Sequence, residues 1–368
     1  SKLLFISLLL LVACAHGLAQ DTIRRQNSFI AFPVAFYTPE TRAGIGAGAS
    51  YNFRFHRADT VTPASQIQLG FAFTQNKQWS FSLPFQFFFK ERKHTLNGQI
   101  EWHNFNYFFY GVGGGNRAGV RERFDVQYPL IRINYLRRLS NNWYAGARWW
   151  FDDYDIYKTT TDGWLAADSI AGSSGSRSSG PGVVVLMDSR NNVYSTQHGQ
   201  YLELVYHNQS AVWGSTYNFN RYRIDYRCFF SLNEKQMLAA QFFADALSGT
   251  VPFNNMAGIG SSKRMRGFYE GRYRDKNLLL IQAEYRTVFY KKLGGVAFIN
   301  YAMLSPRISN FNFGNDHCSL GLGARYMLDE DKRVNIRLDL AWPVGAGKYT
   351  DKTLAQQTVF YFTIGEAF

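Results

Sequence analysis

The sequence lacks the features that define a helical membrane protein or a disulfide-stabilised domain. After its first twenty residues it has no run of about 18 uninterrupted apolar residues, the length that a helix needs to cross a bilayer. Of its three cysteines, Cys14 lies in the N-terminal segment, and Cys228 and Cys318 show neither a disulfide framework nor the spacing of a metal site. Helical membrane spans are therefore excluded, and we expect the two later cysteines to be unpaired.

The histidines are too scattered to suggest an active site. A hydrolytic site groups a histidine with an aspartate or a serine, whereas the seven histidines are spread over the whole chain. The serine- and glycine-rich stretch 172–176 lacks the strand-to-helix setting of a nucleophile elbow. The sequence therefore predicts no catalytic residue, no metal site and no cofactor, and we do not expect an enzyme.

The sequence instead has a strict alternation of apolar and polar side chains. It is clearest over 333–342 and over 357–368, where Phe360 and Phe362 share one face and the sequence ends on Phe368. A strand with one apolar face spans lipid only in a closed sheet, because open edges leave backbone groups unpaired. The 17% aromatic content suits girdles at two membrane interfaces. We therefore predict an all-β fold, a transmembrane antiparallel β-barrel in a bacterial outer membrane.

The chain contains about sixteen such segments, separated by turn residues. Short and long links alternate in phase with this count, as expected for short periplasmic turns and long outer loops. The link over 56–63 is long for a periplasmic turn, which leaves the count open by one hairpin. An even count places both termini in the periplasm. The predicted strands are 28–37, 43–55, 65–75, 78–89, 93–105, 124–137, 142–153, 181–190, 199–208, 217–229, 236–246, 277–290, 294–304, 317–328, 333–342 and 357–368.

The N-terminus has the order of a secretory signal: Lys2, an apolar run over 3–12, and then small residues up to Ala19. We predict a cleaved signal peptide over 1–19, a short periplasmic segment over 20–27 and a barrel over 28–368. The stretch 11–14 also fits a lipoprotein box, in which Cys14 would be lipidated, and this alternative stays open.

The net charge of +13 would suggest nucleic-acid binding in a soluble protein. Here the arginines alternate along strands, as Arg221, Arg223 and Arg227 do, and are not clustered among stacking aromatics. We therefore expect no nucleic acid. The charge is better explained by a basic lumen and by outer loops that meet membrane lipid and anionic lipopolysaccharide.

Met265-Arg266-Gly267-Phe268, in the sixth predicted outer loop, resembles the Arg-Gly-Phe/Tyr motif of the surface-antigen barrel superfamily. This superfamily contains outer-membrane assembly and translocation proteins of the BamA and TamA type and the two-partner secretion transporters. The resemblance implies that the sixth loop folds into the lumen, where Arg266 grips polar residues of the inner wall. Glycine suits the sharp backbone turn that projects the arginine.

Six further stretches resemble the superfamily in the expected order and extend the resemblance over nearly the whole mature chain. They are 33–41, 109–113, 188–199, 284–286, 321–325 and 337–339.

Two features depart from the superfamily pattern. Asn300 stands where the resemblance implies an aspartate that receives the loop arginine, and an amide gives no charge-assisted pair. Glu284 is the substitute partner that we expect, with Arg325 and Asp339 as further inner-wall candidates. About eight residues separate Ala19 from the first predicted strand, so we expect no periplasmic POTRA domain.

Barrel closure pairs the last predicted strand with the first one, so Pro33, Phe360, Phe362 and Phe368 are predicted at the seam. Pro33 removes one backbone donor from the first strand. Insertases of the superfamily are thought to open at this seam, and fewer ladder bonds would favour opening. The proline is also consistent with a local bulge.

The resemblance implies that the barrel assists insertion or translocation of protein or lipid at the outer membrane. A separate periplasmic or outer-membrane protein would then deliver the clients. Two alternatives stay open: a passive pore for small solutes, and a structural barrel within a homodimer or a larger complex. If the barrel is a pore, its single-channel conductance should rise when the 248–276 loop is deleted.

Overall fold

The described part of the chain contains eighteen β-strands and three short 3-10 helices, joined by turns and loops. The computed structural model describes residues 27–55, 62–115, 120–167, 169–192, 195–312, 316–329, 334–344 and 358–368. The predicted signal peptide and Cys14 lie outside these residues. Within them, no helix has the length and apolar character needed to cross a membrane. The strands are β1 (Ser28–Thr38), β2 (Arg42–Phe53), β3 (Ser65–Thr74), β4 (Trp79–Phe89), β5 (His94–Phe109), β6 (Glu122–Arg138), β7 (Trp143–Lys158), β8 (Ser176–Asp188), β9 (Gly199–Gln209), β10 (Phe219–Ser231), β11 (Gln236–Gly249), β12 (Ala257–Ile259), β13 (Tyr273–Asp275), β14 (Asn277–Tyr290), β15 (Leu293–Ser305), β16 (Asp316–Asp329), β17 (Val334–Val344) and β18 (Val359–Ile364). The 3-10 helices are Ala211–Trp213, Phe253–Asn255 and Ile308–Asn310.

Sixteen of these strands form one closed antiparallel barrel, in which β18 closes against β1. Neighbours in the barrel follow chain order, except that β11 pairs with β14, because β12 and β13 form a separate two-stranded sheet. The prediction of a sixteen-stranded transmembrane barrel is confirmed. The sequence does not predict β12 and β13, since three residues are too few for an alternating pattern.

The alternation decides which side chains face the lumen. Along β10, Arg221 and Asp225 are buried, whereas Tyr222 and Ile224 between them are exposed on the outer surface. A period of two puts successive side chains on opposite sides of the sheet. The outer surface is therefore apolar where it meets lipid, and the charged residues collect inside.

The seam between β1 and β18 is the shortest junction in the described barrel. β1 pairs with β2 over eleven positions, but the described residues give β1 and β18 one pair in register, Tyr37 with Phe362. β18 has six residues and pairs with β17 over six positions. Pro33 pairs with Ala47 of β2 and adds no backbone N–H to β1. The described seam thus rests on a short backbone ladder.

Candidate functional site in the barrel lumen

The sixth outer loop, over 250–276, packs inside the barrel through two anchor points. The first is Phe253, which is fully buried and makes edge-on contacts with Phe109 of β5 and Phe124 of β6. The second is Arg266, which is also fully buried and contacts the opposite wall. The loop therefore crosses the lumen from one wall to the other.

Arg266 is bound by two carboxylates from different strands. Its Nη1 donates to Asp339 Oδ2 of β17 at 2.7 Å, and its Nη2 pairs with the carboxylate of Glu284 on β14. The guanidinium also lies over the ring of Phe298 on β15, with Cζ 3.5 Å from the ring centroid. The side chains of Arg266, Glu284 and Asp339 are all shielded from solvent. Charge-assisted hydrogen bonds are strongest in such a buried environment.

Three further arginines share the two carboxylates. Arg286 Nη2 lies 2.7 Å from Glu284 Oε2, Arg325 Nη1 lies 2.6 Å from Asp339 Oδ1, and Arg337 Nε lies 3.5 Å from Asp339 Oδ2. Alternation explains the pairing, because residues two apart on a strand share a face, as Glu284 and Arg286 do. Four arginines around two carboxylates need a further anion.

Glu366 supplies that anion. Its Oε2 lies 3.0 Å from Arg325 Nε and 3.9 Å from Arg286 Nε, and its Oε1 accepts a hydrogen bond from Asn335 Nδ2 at 2.6 Å. The cluster then holds four guanidinium groups and three carboxylates. We call the seven residues the arginine cluster: Arg266, Glu284, Arg286, Arg325, Arg337, Asp339 and Glu366.

The loop backbone is held as well as the Arg266 side chain. The carbonyl oxygen of Arg266 accepts hydrogen bonds from Ser319 Oγ at 2.6 Å and from Asn300 Nδ2 at 3.5 Å. The N–H of Gly267 donates to the Tyr361 hydroxyl at 3.1 Å, and Gly267 has φ +106°, a conformation that favours glycine. The motif thus contacts five consecutive strands, β14 to β18.

This arrangement accounts for the asparagine that departs from the superfamily pattern. Asn300 contacts the carbonyl oxygen of Arg266 and not its guanidinium, so the charge-assisted pairs come from Glu284 and Asp339. Gly321 on β16 lies opposite Phe298, and a Cβ at this glycine would collide with the phenylalanine ring. The glycine therefore leaves room for the ring on which the guanidinium rests.

The placement of Phe368 at the seam is wrong. β18 ends at Ile364, the chain turns at Gly365, and Phe368 is buried against Phe229 and Met237, on the β10–β11 side of the barrel. A main-chain oxygen of Phe368 accepts a hydrogen bond from Arg286 Nη2 at 3.2 Å. The reason is that Glu366 and Phe368 find an ion-pair cluster and an apolar pocket inside the lumen, which extension of β18 would not offer.

The other three seam residues lie where β1 and β18 meet or beside them. Phe362 pairs in register with Tyr37, and the ring of Phe360 lies 5.5 Å from the ring of Tyr37. Pro33 lies further along β1. The seam is therefore lined on its outer face by aromatic side chains.

Replacement of Glu366 by glutamine is expected to lower the free energy of unfolding by about 1–3 kcal/mol at pH 7. Burial alone would raise the pKa of Glu366, but Arg286 and Arg325 outweigh it and hold this pKa below its ordinary value of 4.5. The stabilisation that the Glu366 carboxylate provides is thus fully present above pH 4.5. It is lost as the pH falls through the lower pKa that Glu366 has in the folded state. Urea unfolding of wild type and E366Q at pH 7 and pH 3 measures the difference.

The difference between wild type and E366Q should be smaller at pH 3 than at pH 7, because below pH 4.5 the unfolded state takes up the proton and the stabilisation from the carboxylate declines. Glu234→Gln is the matched control, because Glu234 lies exposed in the turn between β10 and β11. A difference of the same size at both pH values would show that Glu366 does not act through its charge.

The sequence alone does not indicate every member of the site. The ion pairs of Arg286 and Arg337 could be predicted from the sequence, because each arginine lies two residues from an acidic partner on the same strand face. Ser319 and Tyr361 give no such signal, since each binds the loop through a backbone group of the loop. Glu366 gives none either, because its position depends on the turn after β18.

The sequence comparison decides the family. A family model described as the Omp85 superfamily domain matches residues 44–368. The chain belongs to this superfamily. Omp85 barrels of this kind lie in the bacterial outer membrane, and the localisation predicted above is confirmed. A comparison with curated proteins gives no match.

Solved structures of Omp85 barrels have the same fold. BamA from Haemophilus ducreyi lacking POTRA domains 1-3 matches with a TM-score of 0.61 and 13% identity over 93% of this chain and 70% of that chain. CdiB from Acinetobacter baumannii matches with a TM-score of 0.61 and 11% identity over 93% of this chain and 60% of that one. CdiB from Escherichia coli matches with a TM-score of 0.65 and 9% identity over 94% of this chain and 64% of that one. This chain thus spans less than two thirds of either CdiB chain.

Proposed function

We propose that this Omp85 barrel assists the insertion or translocation of protein or lipid at the outer membrane. The observation that carries the proposal is the docking of Arg266 onto β14 and β17, which fixes the sixth loop to the wall next to the seam. The anchored wall includes β18, through the contact of Gly267 with Tyr361. The proposal includes no enzymatic step.

The seam is the site at which we place the client. Breaking one described pair in register costs less than breaking the eleven pairs between β1 and β2. The exposed backbone of an opened edge strand is a template for pairing with another strand. Because backbone ladders join β14 to β18 and Arg266 fixes the loop to this wall, the wall and the loop would move as one unit when β1 separates from β18.

The docked loop argues against the passive pore. It crosses the lumen between Phe253 on one wall and Arg266 on the other, and both of these side chains are fully buried. A pore for small solutes needs a continuous water path. The scaffold alternative has no specific contact in its favour among the described residues.

We further propose that a separate periplasmic or outer-membrane protein delivers the client. Native purification with an affinity tag tests this, with companions identified by mass spectrometry. Val212 is the best insertion point, because it is 83% exposed in the link between β9 and β10. The loop over 159–175 is less suitable, since Leu165 is buried and its N–H donates to Glu122.

A companion protein at near one-to-one stoichiometry is the expected result. The control is the same tag at the exposed Glu234 turn on the other side of the membrane, which should recover the same companion. A barrel that purifies alone or as a homodimer with both tags would contradict the proposed delivery by a partner.

A further inference from the structure

A cavity of about 410 Å³ lies in the lumen on the wall opposite the arginine cluster. It is bounded by β3 to β7 together with β9 and β10, and its volume falls in the range of small-molecule sites. Much of its lining consists of side-chain amides, which both donate and accept hydrogen bonds. They are Gln66, Gln68, Gln86, Asn97, Gln99 and Asn134.

Two of the three arginines that line the cavity are already paired. Arg148 Nη2 lies 2.5 Å from Glu203 Oε1, and Arg223 Nη2 lies 2.7 Å from Asp245 Oδ2. Each of these two arginines thus has an ion-pair partner in the wall, although Asp245 also pairs with Arg221 at 3.3 Å. The third arginine that lines the cavity is Arg132.

Arg132 has no carboxylate within ion-pair distance among the described residues. Its guanidinium stacks on Trp150, with Cζ 4.2 Å from the ring centroid, and its buried Nε makes no hydrogen bond in the described structure. The nearby carboxylates contact other groups: Glu101 lies 2.9 Å from His103, and Asp152 accepts a hydrogen bond from Trp150 Nε1 at 2.5 Å. Arg132 is thus the cavity-lining arginine that has no ion pair in the described structure.

We propose that this cavity binds an anionic solute through Arg132, with a carboxylate or a phosphate as the charged group. A partly buried guanidinium without a counterion is costly, and its planar fork matches both anions. Trp150 fixes the plane of the fork, so that it is oriented before the ligand arrives. The amides then bind the polar body of the ligand.

Isothermal titration calorimetry on the purified barrel in detergent micelles tests the site with four probes. Glucose 6-phosphate and triglutamate with capped termini carry the anion, and glucose and triglutamine with capped termini are their neutral matches. We expect the anionic probes to bind and the neutral ones not to bind. Arg132→Gln should weaken anion binding about tenfold or more, because the charge-assisted hydrogen bonds are lost.

Two variants keep the result interpretable. Arg132→Lys keeps the charge and should retain part of the affinity, which also shows that the cavity still folds. Arg123→Gln is the matched control on the same strand, since Arg123 is 59% exposed at its side chain and lies outside the cavity. It should bind as wild type does.

Tighter binding of glucose 6-phosphate than of triglutamate would assign a phosphate ligand, and the reverse would assign a carboxylate. Both results support the site. Equal binding of charged and neutral probes, no binding of either anion, or binding unchanged in R132Q would overturn it. These outcomes do not depend on whether the barrel inserts or translocates clients.

Discussion

Replacement of Arg266 by alanine is expected to destabilise the barrel by about 3–5 kcal/mol, the usual cost of removing one member of a buried ion pair. The Glu284 and Asp339 side chains are 0% exposed, so the variant leaves two carboxylates with fewer partners and no access to water. The loop also loses its side-chain anchor on the β14–β18 wall. We therefore expect both lower stability and release of the loop.

Two measurements check these effects separately. Urea unfolding followed by tryptophan fluorescence gives the free energy of unfolding. Limited trypsin digestion reports the loop, because Lys263 and Arg264 lie next to the anchor and become cleavable when it detaches. Arg266→Lys should give an intermediate loss, since an ammonium group cannot contact both carboxylates as a planar fork does.

Arg177→Ala is the matched control for this experiment. Arg177 pairs with Asp153 at 2.7 Å, but its side chain is 52% exposed at the outer rim, so its removal should cost less than about 1 kcal/mol. If R266A and R177A lost the same small amount of stability, the buried pairs of Arg266 would not hold the loop. Wild-type resistance of R266A to trypsin would contradict the anchor directly.

The strand pattern could be predicted from the sequence because it depends on neighbouring residues only. In β10, for example, Arg221 and Tyr222 must face opposite sides of the sheet whatever the rest of the chain does. The limits of β18 could not be predicted, because they depend on where the chain finds better contacts. The turn at Gly365 takes Phe368 into the lumen, although its pattern continues the strand.

The residues of the functional site could likewise be predicted only in part. Arg266 carries a recognisable motif, and Glu284 lies on a strand whose inward face follows from alternation. The contact of Asn300 with a backbone oxygen depends on the path of the loop inside the barrel, which no local pattern determines. The unpaired state of Arg132 likewise requires knowing that Glu101 and Asp152 have other partners.

Client contact at the seam is tested most directly by photocrosslinking. A photoactivatable phenylalanine analogue is placed at Phe360, which is 39% exposed beside Tyr37, and at Phe242 of β11 as the matched control. Phe242 is 36% exposed and also lies on the outer surface, so both probes meet lipid to a similar extent. After irradiation in growing cells, adducts are identified by mass spectrometry.

We expect adducts with client protein or client lipid, counted above the membrane-lipid background that both positions share, to be at least about tenfold more abundant at position 360 than at 242. A ratio of this size corresponds to about 1.4 kcal/mol in favour of the seam. Combining the probe at 360 with the R266A substitution should reduce these adducts, because the sixth loop is then no longer fixed to the β14–β18 wall beside the seam. Equal adduct yields at the two positions would contradict the assignment of the seam as the site of client contact.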